Sequence, residues 1–440
     1  MKPLFAFYFY RYFLVPLARI LVFIFRPLLP KKLTSAIGLK NETPIYTKGD
    51  LRLPLSSNQD LMWIHAASGE IEYAKPVLRE WKLKFPNSMV LVTYTSPTSL
   101  NIWRHIPDVD IAVPLPWDQP NAVRQFLEDY KPKRLCVTRT DLWPELLYQV
   151  RLKRIPIMLY SATFARTSNK TMFFVRALTE FCLRQIDLIL VVSPEDKMNV
   201  EQLAPGKTAQ VIGDTRFDQV QFRLSNPKKV SPLAFEQSFV IVAGSTWPED
   251  ELILLRDLKT LLAPPSGRRR KLILVPHEID EIHIGAIIEA LERQNLKPVL
   301  YTNITSEVQS HAQLREADVV IVDKVGILME VYEFGQMAFV GGSFKSQVHS
   351  VMEPLASGLP TLVGPYFGNN REAQHFQQES LAQNNSLSMV RAILSTQDFH
   401  RAVELYENEY FRNGDYKRDV KSRVLQFAGA TAEVVRLMSH

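Results

Sequence analysis

Eleven short apolar runs alternate with amphipathic stretches along this 440-residue chain, and that alternation restricts its fold more than any other feature. The first half contains DLMWIHAA, SMVLVTYT, RLCVTR, IPIMLYSA and LILVVS, and the second half contains SFVIVAGS, RKLILVPHE, LKPVLYT, DVVIVD, MAFVGGS and LPTLVG. Continuous apolar runs separated by helical patterns indicate parallel strands that are covered on both faces. The chain is therefore predicted to be an α/β protein with doubly wound, Rossmann-like sheets.

The length of the chain exceeds what one ordinary hydrophobic core occupies, so two domains are expected. The polar, proline-bearing stretch SNPKKVSP, near residues 224–232, separates the two sets of strands as a linker. We predict a membrane-associated helix at 1–30, Rossmann-like domains at 31–225 and 233–420, and a C-terminal helix at 421–440, a candidate to pack back on the first domain. Ligands of such sheets bind at the carboxyl ends of the strands, so the site is expected in a cleft between the domains.

The segment LFAFYFYRYFLVPLARILVFIFRPLLPKK near the N-terminus is almost wholly apolar, interrupted by Arg11, Arg19 and Arg26. On a helix the three arginines lie within an arc of roughly 80°. A charge at the centre of a membrane span is rare, so a helix in the membrane interface is favoured. A spanning helix and a buried core helix remain alternatives. No small-residue cleavage site follows, so a removed signal peptide is not expected.

Charge and motifs exclude several classes of protein. The net charge of +6 favours anionic partners such as nucleic acid, phospholipid headgroups or a phosphorylated substrate. Cys136 and Cys182 are too few for a disulfide framework, and without CxxC or HExxH spacing no metal site is predicted. No GxxxxGK[ST] occurs and no GxGxxG follows a strand, which argues against a P-loop hydrolase.

Several loops that follow strands of the second half suit a nucleotide. Small residues let backbone N–H groups approach a phosphate, and a helix start adds further N–H groups. Glu353, in the first turn of a helix, either accepts from ribose hydroxyls or only complements the helix dipole, and spacing does not separate the two. The predicted donor-binding residues are Gly244, Ser245, Thr246, His277, Glu278, Gly326, Gly342, Ser343, His349, Ser350 and Glu353.

Carboxylates and arginines follow strands of the first half. In WIHAASGE, Glu70 stands at a helix start, where it either caps the helix or accepts a proton from a substrate. Arg139 and Asp141 follow another strand. This edge suits a phosphorylated acceptor whose hydroxyl loses a proton, although any single arginine could equally be a solvated surface charge. The candidate acceptor contacts are Ser68, Gly69, Thr95, Arg139, Ser161, Arg166 and Ser168.

The ordered motifs resemble one family, the lipid A Kdo (3-deoxy-D-manno-octulosonic acid) transferases. The resemblance extends from about residue 30 to 425 and depends on WIHAASGE, LVTYTSPTS, DLWPE, GDTRFD, AGSTWPEDE, VPHEI, FVGGS, HSVMEPLASGLPTLVGP and NNREA in this order. It implies a GT-B fold, with a lipid A precursor bound by the first domain and CMP-Kdo by the second. It also implies inverting transfer without a metal or other cofactor.

The resemblance further implies that Glu70 is the general base and that Asp141 is required for catalysis. It places the protein on the anionic, cytoplasmic face of the bacterial inner membrane, with no nucleic-acid partner. Many members carry an acid where Arg139 stands and an arginine where Thr163 stands.

Two other functions remain open. One is a GT-B transferase for a different nucleotide sugar; the scarcity of cations beside VGGS, apart from Lys345, mildly favours the single phosphate of CMP. The other is a catalytically inactive relative that binds lipid. The number of Kdo residues added is not determined by the sequence.

Overall fold

The computed structural model describes residues 2–25, 38, 46–49, 52–164, 173–231, 233, 235, 238–264, 267–304, 313–381, 384–413 and 416–439. The chain forms two compact units, residues 1–219 with 427–440 and residues 220–426. The division falls within the helix Thr215–Ser225, before the predicted linker begins.

The first unit contains an eight-stranded sheet in the order β1-β4-β3-β2-β5-β6-β7-β8. Its pairs are parallel except β1 with β4. The strands are β1 (Tyr46–Thr47), β2 (Leu61–His65), β3 (Met89–Tyr94), β4 (Ile111–Pro114), β5 (Arg134–Thr138), β6 (Ile157–Ala162), β7 (Leu188–Val191) and β8 (Gln210–Val211). The helices are Pro3–Phe25, Ile71–Lys84, Pro97–Trp103, Pro120–Tyr130, Pro144–Leu152, Phe173–Gln185, Pro194–Leu203, Thr215–Ser225 and Ala430–Met438.

Burial on both faces of this sheet explains its uninterrupted apolar strands. All five residues of β2 are buried. Trp63 packs with Phe126 on one face, and Ile64 joins Trp81 in the core of the other. Val434, from the C-terminal helix, lies in that second core, so the end of the chain completes the first unit.

The second unit contains a fully parallel seven-stranded sheet in the order β11-β12-β10-β9-β13-β14-β17. Its strands are β9 (Ser238–Thr246), β10 (Arg269–Pro276), β11 (Pro298–Leu300), β12 (Val319–Ile321), β13 (Met337–Val340), β14 (Thr361–Val363) and β17 (Val390–Ala392), and a separate antiparallel pair is formed by β15 (Ser380–Leu381) and β16 (Asn384–Ser388). The helices are Pro248–Leu254, Leu258–Leu262, Glu281–Glu292, Leu328–Tyr332, Met352–Ala356, Arg371–Gln378, Thr396–Arg412 and Tyr416–Leu425. The predicted α/β class, with a doubly wound sheet in each half, is confirmed.

The N-terminal helix is held to the first unit by one side. Ala6 and Phe7 are buried, and the Phe7 ring stacks on Phe181 with centroids 4.2 Å apart. The Tyr10 hydroxyl donates to an Asp118 carboxylate oxygen at 2.7 Å. The helix, 23 residues with mean hydropathy 1.5, is long and apolar enough to cross a membrane.

The arginines of this helix also face the protein. Arg11 pairs with the buried Glu145 at 3.3 Å, and Arg19 donates to Gln119 at 3.0 Å. Arg26 lies outside the described residues. The other side of the helix carries exposed aliphatic and aromatic side chains, namely Leu4, Phe5, Tyr8, Phe9, Tyr12, Phe13, Leu17, Ile20, Leu21, Phe23, Ile24 and Phe25.

Candidate functional site

Glu70 ends the short 3-10 turn Ser68–Glu70 that joins β2 to the helix Ile71–Lys84. Its Oε2 accepts a hydrogen bond from the Ala67 N–H at 3.2 Å, and its own N–H donates to the Ala67 carbonyl at 2.8 Å. The carboxylate therefore caps the turn. Gly69 beside it is exposed, so this turn is open to a ligand.

The surroundings of Glu70 raise its pKa to about 7. Burial is the largest cause, and the negative charge of Asp141 adds to it. The Ala67 N–H and the positive charge of Arg139 act in the opposite direction. A carboxylate that is close to half ionised near neutral pH is well matched to accepting a proton.

Asp141, in the loop after β5, lies next to the end of β2. Its Oδ2 is 2.9 Å from His65 Nε2, and His65 is fully buried. The structure therefore brings together the two carboxylates predicted from sequence, Glu70 by its turn and Asp141 by a contact across neighbouring strands.

Arg139 and Arg216 form a cationic cluster around Tyr73. Arg139 donates to the Tyr73 hydroxyl and, at 3.0 Å, to the Thr163 hydroxyl. The guanidinium carbons of Arg139 and Arg216 lie 4.9 and 5.0 Å from the centroid of the Tyr73 ring. Arg216 belongs to the GDTRFD motif but was not among the predicted contacts, because nothing in local spacing links it to Arg139. Two guanidiniums here suit a phosphate or another anion.

The remaining acceptor-side predictions differ in outcome. Ser161 is fully buried, and its hydroxyl lies 3.0 Å from the Thr215 hydroxyl and accepts from the Thr215 N–H at 3.1 Å. These bonds join β6 to a helix start, and acceptor binding by Ser161 stays a prediction. Thr95, just after β3, is partly exposed. The Ser68 side chain, Arg166 and Ser168 lie outside what the structure describes.

In the second unit, Asp250 holds the loop that follows β13, residues 341–344, which we call the glycine loop. Its carboxylate, fully buried, accepts from the backbone N–H groups of Gly342 at 2.7 Å, Trp247 at 2.9 Å and Phe344 at 3.1 Å. Gly342 adopts a φ of 91°, a conformation that favours glycine. An internal carboxylate therefore occupies the Gly342 N–H group in this conformation, and donor binding by Gly342 stays a prediction.

Internal contacts also hold three further residues predicted to bind the donor. Thr246 is fully buried and its hydroxyl donates to Glu251 at 2.8 Å. Ser343 is fully buried and accepts from the Gly364 N–H at 2.6 Å. A Cβ at Gly244 would lie 2.2 Å from the Tyr332 hydroxyl, so that glycine serves packing. The side chains of Thr246 and Ser343 are buried, and donor binding through the backbone of these three residues stays a prediction.

A stack of three rings lies at the carboxyl ends of β9, β10 and β13. The His277 ring lies 4.5 Å from Trp247 and 4.7 Å from His349, both nearly parallel. Trp247 Nε1 donates to His349 Nε2 at 3.0 Å, and the Lys345 ammonium lies 3.3 Å from the centre of the Trp247 ring. Burial and the nearby His277 lower the pKa of His349, so it is neutral at pH 7. The site thus offers a flat aromatic surface beside one cation.

Glu353, in the helix Met352–Ala356, has a partner that sequence did not indicate. Its Oε1 accepts from Arg223 Nη1 at 2.7 Å, and both side chains are partly exposed. Ser245 and Ser350 are partly exposed, and Glu278 is exposed. Gly326, the remaining predicted donor-side residue, is exposed and has a φ of 78°. Its carbonyl accepts a hydrogen bond from the Lys228 ammonium at 2.6 Å.

Among the described residues, no cluster of three or more His, Cys, Asp or Glu side chains is arranged to hold a metal ion.

Comparisons with known proteins show which proteins the chain is similar to. Residues 42–219 match the family described as 3-Deoxy-D-manno-octulosonic-acid transferase (kdotransferase). The chain is 29% identical over 329 residues to the 3-deoxy-D-manno-octulosonic acid transferase of Aquifex aeolicus, covering 74% of this chain and 82% of that one. The enzyme of the same name from Haemophilus influenzae is 26% identical, covering 70% and 71%.

Among solved structures, the UDP-GlcNAc 2-epimerase from Neisseria meningitidis bound to UDP-GlcNAc is similar in fold. The TM-score is 0.60 at 14% identity, covering 87% of this chain and 100% of that chain. This likeness supports the GT-B class of fold.

Proposed function

Because the chain is similar to the 3-deoxy-D-manno-octulosonic acid (Kdo) transferases, we propose that it is a member of this family. In this proposal it transfers Kdo from CMP-Kdo to a hydroxyl of a lipid A precursor, with inversion at the anomeric carbon. The observation that carries this proposal is the placement of Glu70 in an open turn beside Asp141, with a pKa of about 7. An alcohol is a poor nucleophile until a positioned base accepts its proton.

In the proposed reaction the acceptor oxygen attacks the anomeric carbon of Kdo. A new C–O bond forms there, the bond between that carbon and the phosphate oxygen of CMP breaks, and CMP leaves with the bonding electrons. Glu70 takes the proton of the acceptor hydroxyl. CMP-Kdo is the donor substrate, and the proposed reaction uses no further cofactor. A base with a pKa near the working pH can both accept this proton and release it afterwards.

The cationic cluster supports a phosphorylated acceptor. Arg139 and Arg216 place two guanidiniums on Tyr73, and Arg139 interacts electrostatically with Glu70. Guanidinium groups bind phosphate through paired N–H donors. We infer that they hold a phosphate of the lipid A precursor and so orient its hydroxyl towards the base.

The three-ring stack supports a nucleotide with a single phosphate. The exposed His277 ring can stack against the cytosine base, while Lys345 supplies one positive charge. In this proposal the Glu353 carboxylate, held by Arg223, accepts from the ribose hydroxyls.

We propose that the N-terminal helix lies in the membrane interface and attaches the protein to the cytoplasmic face of the inner membrane. Tyr10 and Arg11 bond to Asp118 and Glu145 of the first unit. A spanning orientation would draw these carboxylates towards hydrocarbon or break both contacts, which is costly. An interfacial helix keeps both and turns its exposed aromatic side to the lipid.

The decisive test is incubation with CMP-Kdo and a tetraacyl lipid A precursor, followed by mass spectrometry. A mass gain of one or more Kdo units is expected, and the spectrum also counts the units added. No gain would reject the function. A thermal-shift comparison of CMP, UDP and GDP separates this donor from other nucleotide sugars, since CMP alone is expected to stabilise the protein.

A further inference from the structure

A buried chain of hydrogen bonds crosses the carboxyl end of the first sheet and ends on Asp141. Trp63 Nε1 donates to the Thr93 hydroxyl at 2.9 Å. The same hydroxyl lies 2.9 Å from His65 Nδ1, and His65 Nε2 lies 2.9 Å from Asp141 Oδ2. Trp63, His65 and Thr93 are fully buried, whereas Asp141 is partly exposed. These hydrogen bonds therefore connect the core of the first unit to the edge of the site.

Backbone pairing fixes three of the four members. Trp63 and His65 stand two positions apart on β2, so their side chains leave the same face of the sheet. His65 pairs directly with Thr93 of the parallel neighbour β3 and with Val137 of β5. Asp141 follows β5 after a short loop, which brings it within reach of the outer nitrogen of His65.

The chemistry of the donors decides which nitrogen of His65 carries the proton. An indole N–H can only donate, so the Thr93 oxygen accepts from Trp63. A carboxylate can only accept, so the contact between His65 Nε2 and Asp141 Oδ2 requires a proton on Nε2. The His65 Nε2–H therefore donates to the Asp141 carboxylate.

We propose that His65, which touches no substrate, is a positioning residue: the hydrogen bond from its Nε2–H fixes the Asp141 carboxylate beside Glu70. This inference rests on the proposed function of the site. Four ionisable groups meet here. Glu70 and Asp141 are the two carboxylates, Arg139 is the cation that acts on Glu70, and His65 is the hydrogen-bond partner of Asp141.

Fixing Asp141 has a chemical consequence. Its negative charge helps to hold the pKa of Glu70 at about 7. If Asp141 turned away towards solvent, Glu70 would become a weaker base, ionised at lower pH but less able to accept a proton from an alcohol. The buried hydrogen bonds to Asp141 therefore help to keep the pKa of Glu70 raised, although none of them reaches Glu70 itself.

The test compares two substitutions of His65, each of which places an amide group at the position of a different ring nitrogen. Glutamine places an amide N–H near the position of Nε2, whereas asparagine reaches only the position of Nδ1. His65→Asn is expected to lower kcat about 10- to 100-fold, the range seen when a partner that orients a functional group is removed, with KM little changed. His65→Gln is expected to recover most of that loss.

The pH profile separates positioning from a merely structural role. In His65→Asn the acidic limb of kcat/KM should move to lower pH than in the wild type, because Asp141 no longer acts on Glu70. An unchanged limb, or a move to higher pH, overturns the proposal. Wild-type turnover is measured first, so failure of the proposed transfer is seen separately from failure of this inference.

A measurement on the wild-type protein covers the case in which neither variant folds. With [15N]histidine labelling, one imidazole is expected to show an Nε2-bound proton that exchanges slowly with water, since the ring is buried and bonded at both nitrogens. The absence of a slowly exchanging Nε2-bound proton would reject the assignment.

Discussion

Glu70 and Ala67 bond to each other twice: the Glu70 carboxylate accepts from the Ala67 N–H at 3.2 Å, and the Glu70 N–H donates to the Ala67 carbonyl at 2.8 Å. Sequence leaves Glu70 as either a cap or a base. The structure shows that it is a cap, and the raised pKa makes the same carboxylate suitable as a base, so the two functions are compatible.

Glu70→Gln should abolish most of the proposed turnover, by about 10²–10⁴-fold, because the amide cannot accept the proton. The readout is the rate of Kdo addition by mass spectrometry. Glu72→Gln is the matched control, since Glu72 lies two residues away, in the first turn of the helix Ile71–Lys84, and pairs with Lys75 near the surface. Comparable losses in the two variants would argue against Glu70 as base.

The same substitution should increase stability at high pH. Burial raises the pKa of Glu70 from 4.5 to about 7, so its ionised form is disfavoured in the folded state. The free energy of unfolding of the wild type should therefore fall, relative to Glu70→Gln, between about pH 4.5 and 7, and stay lower above pH 7. Chemical denaturation at pH 4 and pH 8 measures this difference, and a gain confined to pH 4 would contradict it.

Wild-type kcat/KM should fall about tenfold per pH unit as the pH drops below about 7, because protonated Glu70 cannot act as a base. Rates are measured at constant ionic strength from pH 5 to 8.5. An acidic limb near 4.5 would show that Glu70 keeps its ordinary pKa.

Lys345→Met should raise KM for CMP-Kdo about tenfold, with a smaller effect on kcat. Methionine retains a side chain that packs on Trp247 but removes the charge that faces an anionic donor. Loss of one charged contact worth about 1.4 kcal/mol corresponds to this factor. Lys297→Met is the control, since Lys297 pairs with Glu316 on the surface of the same unit. Equal KM values for both variants would exclude Lys345 from donor binding.

Asp250→Ala should destabilise the second unit by about 3 kcal/mol or more, because it leaves three backbone N–H groups without their acceptor. Asp250→Asn keeps an acceptor oxygen and should lose less. Chemical denaturation measures the stability, and CMP titration tests whether the loop still binds. Equal stability of Asp250→Ala and wild type would show that the glycine loop holds without this carboxylate.

The double substitution Phe5→Ser with Phe13→Ser should weaken binding to vesicles that contain anionic lipid, as measured by flotation. The two rings are 60% and 53% exposed on the outer side of the N-terminal helix. Leu83→Ser removes an even more exposed apolar side chain, 74%, from the helix Ile71–Lys84 and should leave flotation unchanged. Equal losses in both proteins would show that the helix has no specific affinity for lipid.

The sequence by itself determined the fold class and the identity of the two carboxylates. A strand buried on both faces must be apolar throughout, so runs such as Leu61–His65 can be recognised locally. Glu70 and Asp141 follow such strands, and the carboxyl ends of parallel strands share one edge of the sheet, which made both residues candidates before any contact was known.

Only the tertiary structure decided which polar groups remain available to a ligand. The Gly342 N–H, for example, bonds to Asp250, 92 residues away, and His65 bonds to Asp141, 76 residues away. Periodicity reports burial within one element, whereas these bonds depend on strand order and on the path of each loop. Ser161 and Ser343 look like binding residues in the sequence for the same reason: a hydroxyl that bonds a distant backbone group has the same local pattern as one that meets a substrate.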